Sequence, residues 1–597
     1  MSVLRRLEHP FAAITLATLL SFAAWLAAGD EPQARVPALS ALLWLLALAI
    51  LLNEGLAGWR PVMPTPRTLY VVAGICLLAG FLRFVDLGRI PSVLSGNEAG
   101  VGLSALDYLT GGRTNLFDVG WWSFPSMHSW IQSSFLRVLG QTVIGLRVSS
   151  ALIGTVTVAI TYIYAARSFG RTVGLLSAAF LAASAFHIHF SRLGLNNIWE
   201  SLFAVALAGG LSLAWATKDL RRFILVGVFL GLTQFFYVGG RMFVLLVPLW
   251  LMIARPKDDR PRATRLTWVG TTLWVAAVVV LPLAMFYARH PDQFLLPWRR
   301  VSLFWYWWDV QTVQYGDPGW WVVADQLIKA PLGFVLFGLT EFFSGPLLTP
   351  VAAALFLLGS THVLRHLRNP DLLWLGLWLG GTIASVALSA NPPAAQRYVG
   401  SAPAVAVLVA FGANRLVQWL GLNKTGKGHL RRLFLTGAML MAVGWEIRHY
   451  FIRPSAAEAF GDFGAETAHR VAQDFETEAP FPRVFFFVGP GFSLARHESL
   501  AFLVSGLSAT EVDDGPVWRI ELDEPGEYSL IFLPDRADDL TVVRACLPEG
   551  TLRQMRGRSD RLLFSRYDIR IDHPAVCEKP SESEKASGYL GVVHGHG

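Results

Sequence analysis

The sequence predicts a mostly α-helical protein that crosses a membrane about thirteen times and carries a small α/β C-terminal domain on the outer face. Three observations predict that class. Hydrophobic residues make up 53% of the 597, and Asp, Glu, Lys and Arg together only 16%, where a soluble domain carries about a quarter. Over the first three-quarters of the chain, apolar runs recur that are long enough, at ~1.5 Å rise per residue, to cross a ~30 Å hydrocarbon core. The basic residues fall in clusters between those runs, and a single topology puts every cluster on the same side.

The runs lie at residues 11–28, 36–53, 68–87, 146–166, 173–188, 197–216, 223–238, 241–254, 266–287, 349–365, 371–390, 399–419 and 432–451. In lipid every backbone amide must be satisfied internally, so each is read as a helix. The first follows "MSVLRRLEHP" and is long for the apolar core of a signal peptide, so it reads as an uncleaved signal anchor with Arg5 and Arg6 in the cytoplasm. Counting from there, the inner loops receive Arg60 and Arg67, then Arg167 and Arg171, then Lys218, Arg221 and Arg222. They also receive "ARPKDDRPRATR" (254–265), "LRHLRNP" (364–370) and "LNKTGKGHLRR" (422–432). The +7 formal charge is therefore punctuation between spans and not one basic patch, which argues against a nucleic-acid partner.

The predicted domains follow. Residues 1–67 hold two additional N-terminal helices, and 68–451 form the main transmembrane domain with long outer loops at 90–145 and 290–349. Residues 452–577 form the outer α/β domain, with strand-like "RVFFFVG", "WRIELD" and "YSLIFL" and a short helical stretch "LARHESLAFLV". "VGPGFS" lacks the full glycine pattern of a dinucleotide loop. Residues 578–597 read as a disordered tail. Of the three cysteines, Cys76 lies in a span, and Cys546 with Cys577 would pair only in an oxidising compartment. The first long loop contains two helices, "EAGVGLSALDYLTG" and "SMHSWIQSSFLRVLG". The second contains "LFWYWWDVQTVQYGDPGWW", an aromatic belt or a platform for a sugar or an isoprenoid tail.

Ionisable groups beside spans are costly and call for a function. Four stand near the outer ends: Glu98 in "SGNEAG" (95–100), Arg192 in "HFSRLGLNNIWE", Arg241 in "FFYVGGRMF" and Arg397 in "NPPAAQRYVG". Guanidinium grips phosphate through charge-assisted hydrogen bonds of about 1.5–3 kcal/mol each, so this set points to an anionic headgroup, with lipid snorkelling the bland alternative for each arginine. Glu98 is favoured by the dipole of the helix it opens, and a partly desolvated carboxylate there can also act as a general base.

"GLRVSSALIGTVTVAITYIYAARSFGRTVGLLSAAFLAASAFHIHFSR", "GLTQFFYVGGRMFVLLVPL" and "NPPAAQRYVGSAPAVAVLVAFGANRL", taken with the acidic motif that opens the first outer loop, resemble the GT-C glycosyltransferases. The likeness is to family 39, which includes protein O-mannosyltransferases and the lipid A aminoarabinose transferases, and it covers roughly residues 68–420. The resemblance implies an enzyme of the plasma (inner) membrane that moves a hexosyl or pentosyl group from a polyprenyl-phosphate sugar to an acceptor, which could be a glycolipid, a polysaccharide or a protein. The family's acidic pair falls on Asn97 and Glu98, so the first acid is an amide here. Its donor-phosphate cation falls on Arg241. Arg192 matches a recurrent Ser-Arg, but the Asp that follows in many relatives is replaced by Asn196 and Asn197. Tyr237, Arg397 and Tyr398 complete the expected substrate-binding set.

Asn cannot accept a proton, so the base would be Glu98, or Asp107 or Asp118 moving in; the amides suit sugar hydroxyls. The leading reading is an inverting transferase with Glu98 as base and the arginines on the leaving phosphate. A non-catalytic scaffold binding a lipid-linked glycan, and a transporter or flippase of lipid-linked sugars, are the alternatives. Transporters place ionisable groups near the midplane of repeated halves, a pattern this sequence does not show. No nucleotide motif or metal spacing occurs, although one carboxylate with amides leaves a divalent ion open.

Overall fold

Each of the thirteen segments read as a span contains a helix in the computed structural model, which describes residues 10–60, 64–254, 262–422, 428–452, 457–458, 460–476, 478, 480–489, 493–515 and 517–579. The tail from 580 onward, and part of "VGPGFS", lie outside the described residues. Among the described residues eight helices are long and apolar enough to cross a membrane, or nine if one bent pair counts as a span. The count of thirteen is not reached, because the other segments are short, interrupted or charged. Leu220–Leu232 stops after 13 residues and gives way to two 3-10 turns, and Met242–Ile253 has 12. Pro350–Arg365 has 16 residues, and Gly428–Phe451 carries Arg431, Arg432, Glu446 and Arg448 along its length.

The chain divides into two units: residues 1–92 with 104–460, and Val93–Leu103 with the chain from Gly461 onward. In the first unit, Pro37–Leu56, Pro66–Phe84, Pro350–Arg365 and Pro370–Ala387 begin on proline, whose missing N–H is no loss in a first turn. Two helices cross closely where Gly359 and Gly412 meet. A Cβ on Gly359 would run into the Leu408 carbonyl and one on Gly412 into that of Leu355. Small residues at a crossing let membrane helices approach backbone to backbone.

The bent pair, Arg171–Ala183 and Ala185–Ser191, turns by 60° at Ser184. A break at that depth frees backbone groups that lipid cannot satisfy. Arg83, fully buried on Pro66–Phe84, donates to the carbonyls of Ala182 (2.9 Å) and Leu181 (3.2 Å) and contacts His187 Nδ1 (2.7 Å). Glu446 accepts from the Ala185 N–H (2.8 Å) and from the Thr349 hydroxyl (2.7 Å). One arginine and one glutamate thus satisfy opposite sides of the same break.

In the second unit, β1 (Arg483–Phe487) sits between β2 (Ala509–Val512) and β4 (Gly526–Phe532), parallel to both. β3 (Trp518–Leu522) pairs away from this sheet. β6 (Leu562–Ile571) runs antiparallel to β4 on one side and to β5 (Thr551–Arg556) on the other, giving the order β2-β1-β4-β6-β5. β7 (Ala575–Lys579) forms a separate two-stranded antiparallel sheet with β3 and runs past the residue-577 boundary. The period of two sorts β1 into two cores. Phe487 packs with Trp518, Phe532 and Val543 on one face, and Val484 and Phe486 pack with Val471, Phe475 and Phe564 on the other. The mixed α/β fold read from the sequence is the one observed. Cys546 Sγ donates to the Val576 carbonyl at 3.5 Å, beside Cys577.

Candidate functional site

The "SGNE" stretch is a capping box. Ser95, three residues before Glu98, ends the extended chain, and the helix Gly96–Thr110 begins. The Glu98 N–H donates to Ser95 Oγ at 3.2 Å, and the Ser95 N–H donates back to Glu98 Oε2 at 3.4 Å. Two N–H groups that a helix start leaves without partners are satisfied reciprocally, and the carboxylate gains from the positive end of the helix. Glu98 is completely buried and Asn97 half-buried beside it. Both lie in the second unit.

The other expected site residues belong to the first unit, where the three arginines have different surroundings. Arg192 is fully buried, and its guanidinium clasps the chain leaving Pro66–Phe84. Nε donates to Ile90 O (2.9 Å), Nη1 to Leu82 O (2.9 Å), and Nη2 to Val85 O (2.7 Å) and Asp86 O (3.1 Å). Arg147 adds a bond to Pro91 O at 2.8 Å. Carbonyl recognition of this kind is architectural: Arg192 has no donor pair directed at a phosphate.

Arg397 is half-buried and donates to the Ala390 carbonyl. Its neighbour Tyr398 is fully buried, its hydroxyl donating to Ala330 O at 2.7 Å and its ring edge-on to Phe334. Tyr237 gathers the polar residues of this region: its hydroxyl bonds Asn197 and stands within electrostatic reach of Arg397, Glu200 and Glu341. Asn196 donates to Phe236 O at 2.7 Å, fixing the turn from the other side. The structure therefore brings Asn197, Tyr237 and Arg397 together, with Asn196 supporting them, and leaves Arg192 and Tyr398 in structural positions.

Two carboxylates in this cluster had no role in the sequence reading. Glu200, in the first turn of Ile198–Thr217, is buried, and among the described residues its Oε2 has no hydrogen-bond partner. It fits only because Gly239 and Gly400 lack side chains; a Cβ on either would lie 2.6 Å from its Oε1. The available signal was an ionisable residue inside a span, in "NNIWE". Glu341 is exposed and takes a left-handed backbone (φ 70°), and it accepts from Asn391 Nδ2 at 3.3 Å and from Gln396. Only tertiary structure brings it within electrostatic reach of Tyr237.

Arg241 has the setting expected of a headgroup ligand. It stands at the wall of a cavity of about 420 Å³ lined by Val280, Leu283, Ala284, Tyr287, Phe294 and Leu295 among others. Its Nη1 donates to Phe294 O at 2.9 Å, and its guanidinium lies 4.0 Å from the centre of the Phe294 ring. One cation, bonded to the Tyr287 hydroxyl, beside a groove that is mainly apolar apart from Tyr287 and Gln234 matches a phosphate with a hydrocarbon tail.

The alternative bases are placed differently. Asp107 is exposed on its helix. Asp118 is buried, ion-paired with Arg113 and hydrogen-bonded by the Tyr108 hydroxyl at 3.4 Å. Among the described residues no group of three His, Cys, Asp or Glu converges to hold a metal ion.

Comparison with known proteins gives three findings. Residues 123–286 match the family model described as dolichyl-phosphate-mannose-protein mannosyltransferase. No curated protein matches the sequence. Among solved structures, the oligosaccharyltransferase of Archaeoglobus fulgidus in the apo form aligns with TM-score 0.49 and 14% identity over 73% of this chain, which spans 63% of that protein's length. ArnT from Cupriavidus metallidurans aligns in the apo state with TM-score 0.49 and 11% identity over 86% of this chain and 98% of that one. Bound to undecaprenyl phosphate, ArnT gives TM-score 0.48 and 12% identity over 85% and 98%. The matched stretch runs from the first long loop into Ala263–Arg289 and holds Arg192, Asn196, Asn197, Tyr237 and Arg241. Over residues 123–286, then, this chain is similar to the dolichyl-phosphate-mannose-protein mannosyltransferases, a family of the GT-C glycosyltransferases.

Proposed function

We propose that this protein is an integral membrane glycosyltransferase that moves a sugar from a polyprenyl-phosphate donor to an acceptor at the outer face of the plasma membrane, with inversion at the anomeric carbon. The observation that carries the reading is Arg241 at the wall of the apolar cavity beside Tyr287 and Phe294. The phosphate of the donor meets the guanidinium, and the first isoprene units lie along Val280, Leu283 and Leu295. Glu98 takes the proton from the acceptor as its heteroatom attacks the anomeric carbon, and the bond from that carbon to the phosphate oxygen breaks. Arg241, with Arg397, stabilises the negative charge that develops on the leaving phosphate. Asn97, Asn197 and Tyr237 supply hydrogen bonds to sugar hydroxyls. Arg192 is left out of this set because its donors already serve four carbonyls.

A second reading has one observation in its favour. Asn97 stands where the family resemblance expects an acid, and a protein that binds the lipid-linked sugar without transferring it would need no such acid. Donor binding tests what the two readings share. Protein in nanodiscs should bind a polyprenyl phosphate and not the corresponding polyprenol, and Arg241→Gln should weaken binding at least tenfold, the loss of one charge-assisted contact. Equal binding of phosphate and alcohol would sink both readings.

A further inference from the structure

The SGNEAG corner is packed inside the C-terminal unit, against the residues that start the helix Glu498–Leu503. The Ser499 hydroxyl donates to the Leu94 carbonyl at 2.9 Å, pinning the chain immediately before the capping box. His497 Nδ1 accepts the Ser499 N–H at 3.2 Å. With that nitrogen engaged as acceptor, the proton of the neutral ring sits on Nε2. Burial holds the imidazole below its ordinary 6.5, against the opposing pull of Glu498 and Asp462, so the ring is neutral at pH 7.

The ring lies against the first residue of the Glu98 helix. A Cβ on Gly96 would be 3.4 Å from His497 Cε1, 3.8 Å from Nε2 and 3.2 Å from Glu498 Oε2. Gly96 is thus the residue whose missing side chain lets an imidazole edge and a carboxylate approach the capping box. Gly461 makes a similar approach to Val93 two residues upstream of Ser95. It has φ 97°, a conformation that favours glycine, and a Cβ there would lie 2.8 Å from Val93 Cγ1. The chain leading into the box, and its second residue, are therefore met by residues more than 350 positions later in the sequence.

We propose that His497 and Ser499 are positioning residues for Glu98: the C-terminal unit supplies the wall that fixes the first turn of Gly96–Thr110, and with it the orientation of the carboxylate. This rests on the reading of Glu98 as the base. With the backbone fixed at Leu94 and Gly96, the carboxylate that the capping box orients keeps its geometry through the reaction, where a displacement of about 1 Å can cost about a hundredfold in rate.

The test uses the full chain in nanodiscs, with two readouts. His497→Ala and Ser499→Ala should lower kcat at least about tenfold while leaving the donor KM, set by Arg241, unchanged. Amide hydrogen exchange across residues 94–99 should rise in the same variants. His497→Asn, whose side-chain oxygen can accept the Ser499 N–H, should restore both. A wild type without transfer activity would overturn the transferase reading, and any exchange difference would then report docking alone. An active wild type whose His497→Ala and Ser499→Ala forms keep its kcat would overturn the positioning role and leave the transferase reading intact. Loss of kcat with unchanged exchange, or without rescue by His497→Asn, would also overturn it.

Discussion

Replacing Arg192 by lysine separates the two roles an arginine near a membrane surface can have. The guanidinium donates four hydrogen bonds to carbonyls, those of Ile90, Leu82, Val85 and Asp86, at 2.7–3.1 Å, beside a further bond with the Tyr450 hydroxyl. Hydrogen bonds to a charged partner are worth about 1.5–3 kcal/mol each. A lysine keeps the charge but not the planar fork, and one ammonium can reach two of these acceptors at best. Losing the other two sets a ceiling of about 3–6 kcal/mol, and because the bonds share one side chain they do not add independently, so the lower end is expected, about 3 kcal/mol. The assay is the midpoint of irreversible loss of the monodisperse peak on heating in detergent, alongside donor affinity measured below that midpoint. Arg192→Lys should drop the midpoint by several degrees and leave donor affinity as in the wild type. An unchanged midpoint with weakened donor binding would refute the architectural assignment and restore Arg192 to the substrate set.

Gly400→Ala puts a Cβ 2.6 Å from the Glu200 carboxylate and should destabilise by about 1–3 kcal/mol; adding Glu200→Ala should recover most of that loss in a double-mutant cycle of heat stability. In the C-terminal unit, burial raises the Asp539 carboxyl, but bonds from Lys579, Trp518 and Arg536 outweigh it and hold it below its ordinary 3.8. Asp568 is depressed in the same way by Ser529, Arg553 and Arg566. The stability these groups contribute is fully present above pH 3.8 and is lost as pH falls through the depressed values. Proteolysis of the chain beyond Gly461 should therefore accelerate below pH 3.8, and Asp539→Asn should remove part of that dependence. Proteolysis that stays flat down to pH 2 would contradict the assignment.

The positions of the helices were legible because length and hydropathy report burial in lipid directly, and every predicted span falls on a helix. The number that cross was less legible, since turns such as 233–241 interrupt apolar runs without any change in composition. Glu98 was legible as a carboxylate opening a helix, but its reciprocal pairing with Ser95 in a capping box came only from the structure. Arg192 and Arg241 look alike in sequence, each one cation beside apolar residues. They differ only in what folding brings to them: backbone carbonyls from residues 82–90 for the first, an apolar cavity for the second. Glu200 was hidden inside a span, and Glu341 comes within electrostatic reach of Tyr237 only through the fold of the loop that holds it. The tie between Leu94 and Ser499 spans most of the chain and leaves no local signature.

The account turns on Glu98 as the base of a sugar transfer. The direct measurement is transfer of a labelled sugar from polyprenyl-phosphate donors to candidate glycolipid, polysaccharide and protein acceptors, by the wild type and by Glu98→Gln. Glutamine can keep the capping box but cannot take the proton, so the variant should fold, bind donor as before and lose at least about a hundredfold in kcat. Transfer by Glu98→Gln at the wild-type rate would contradict the claim.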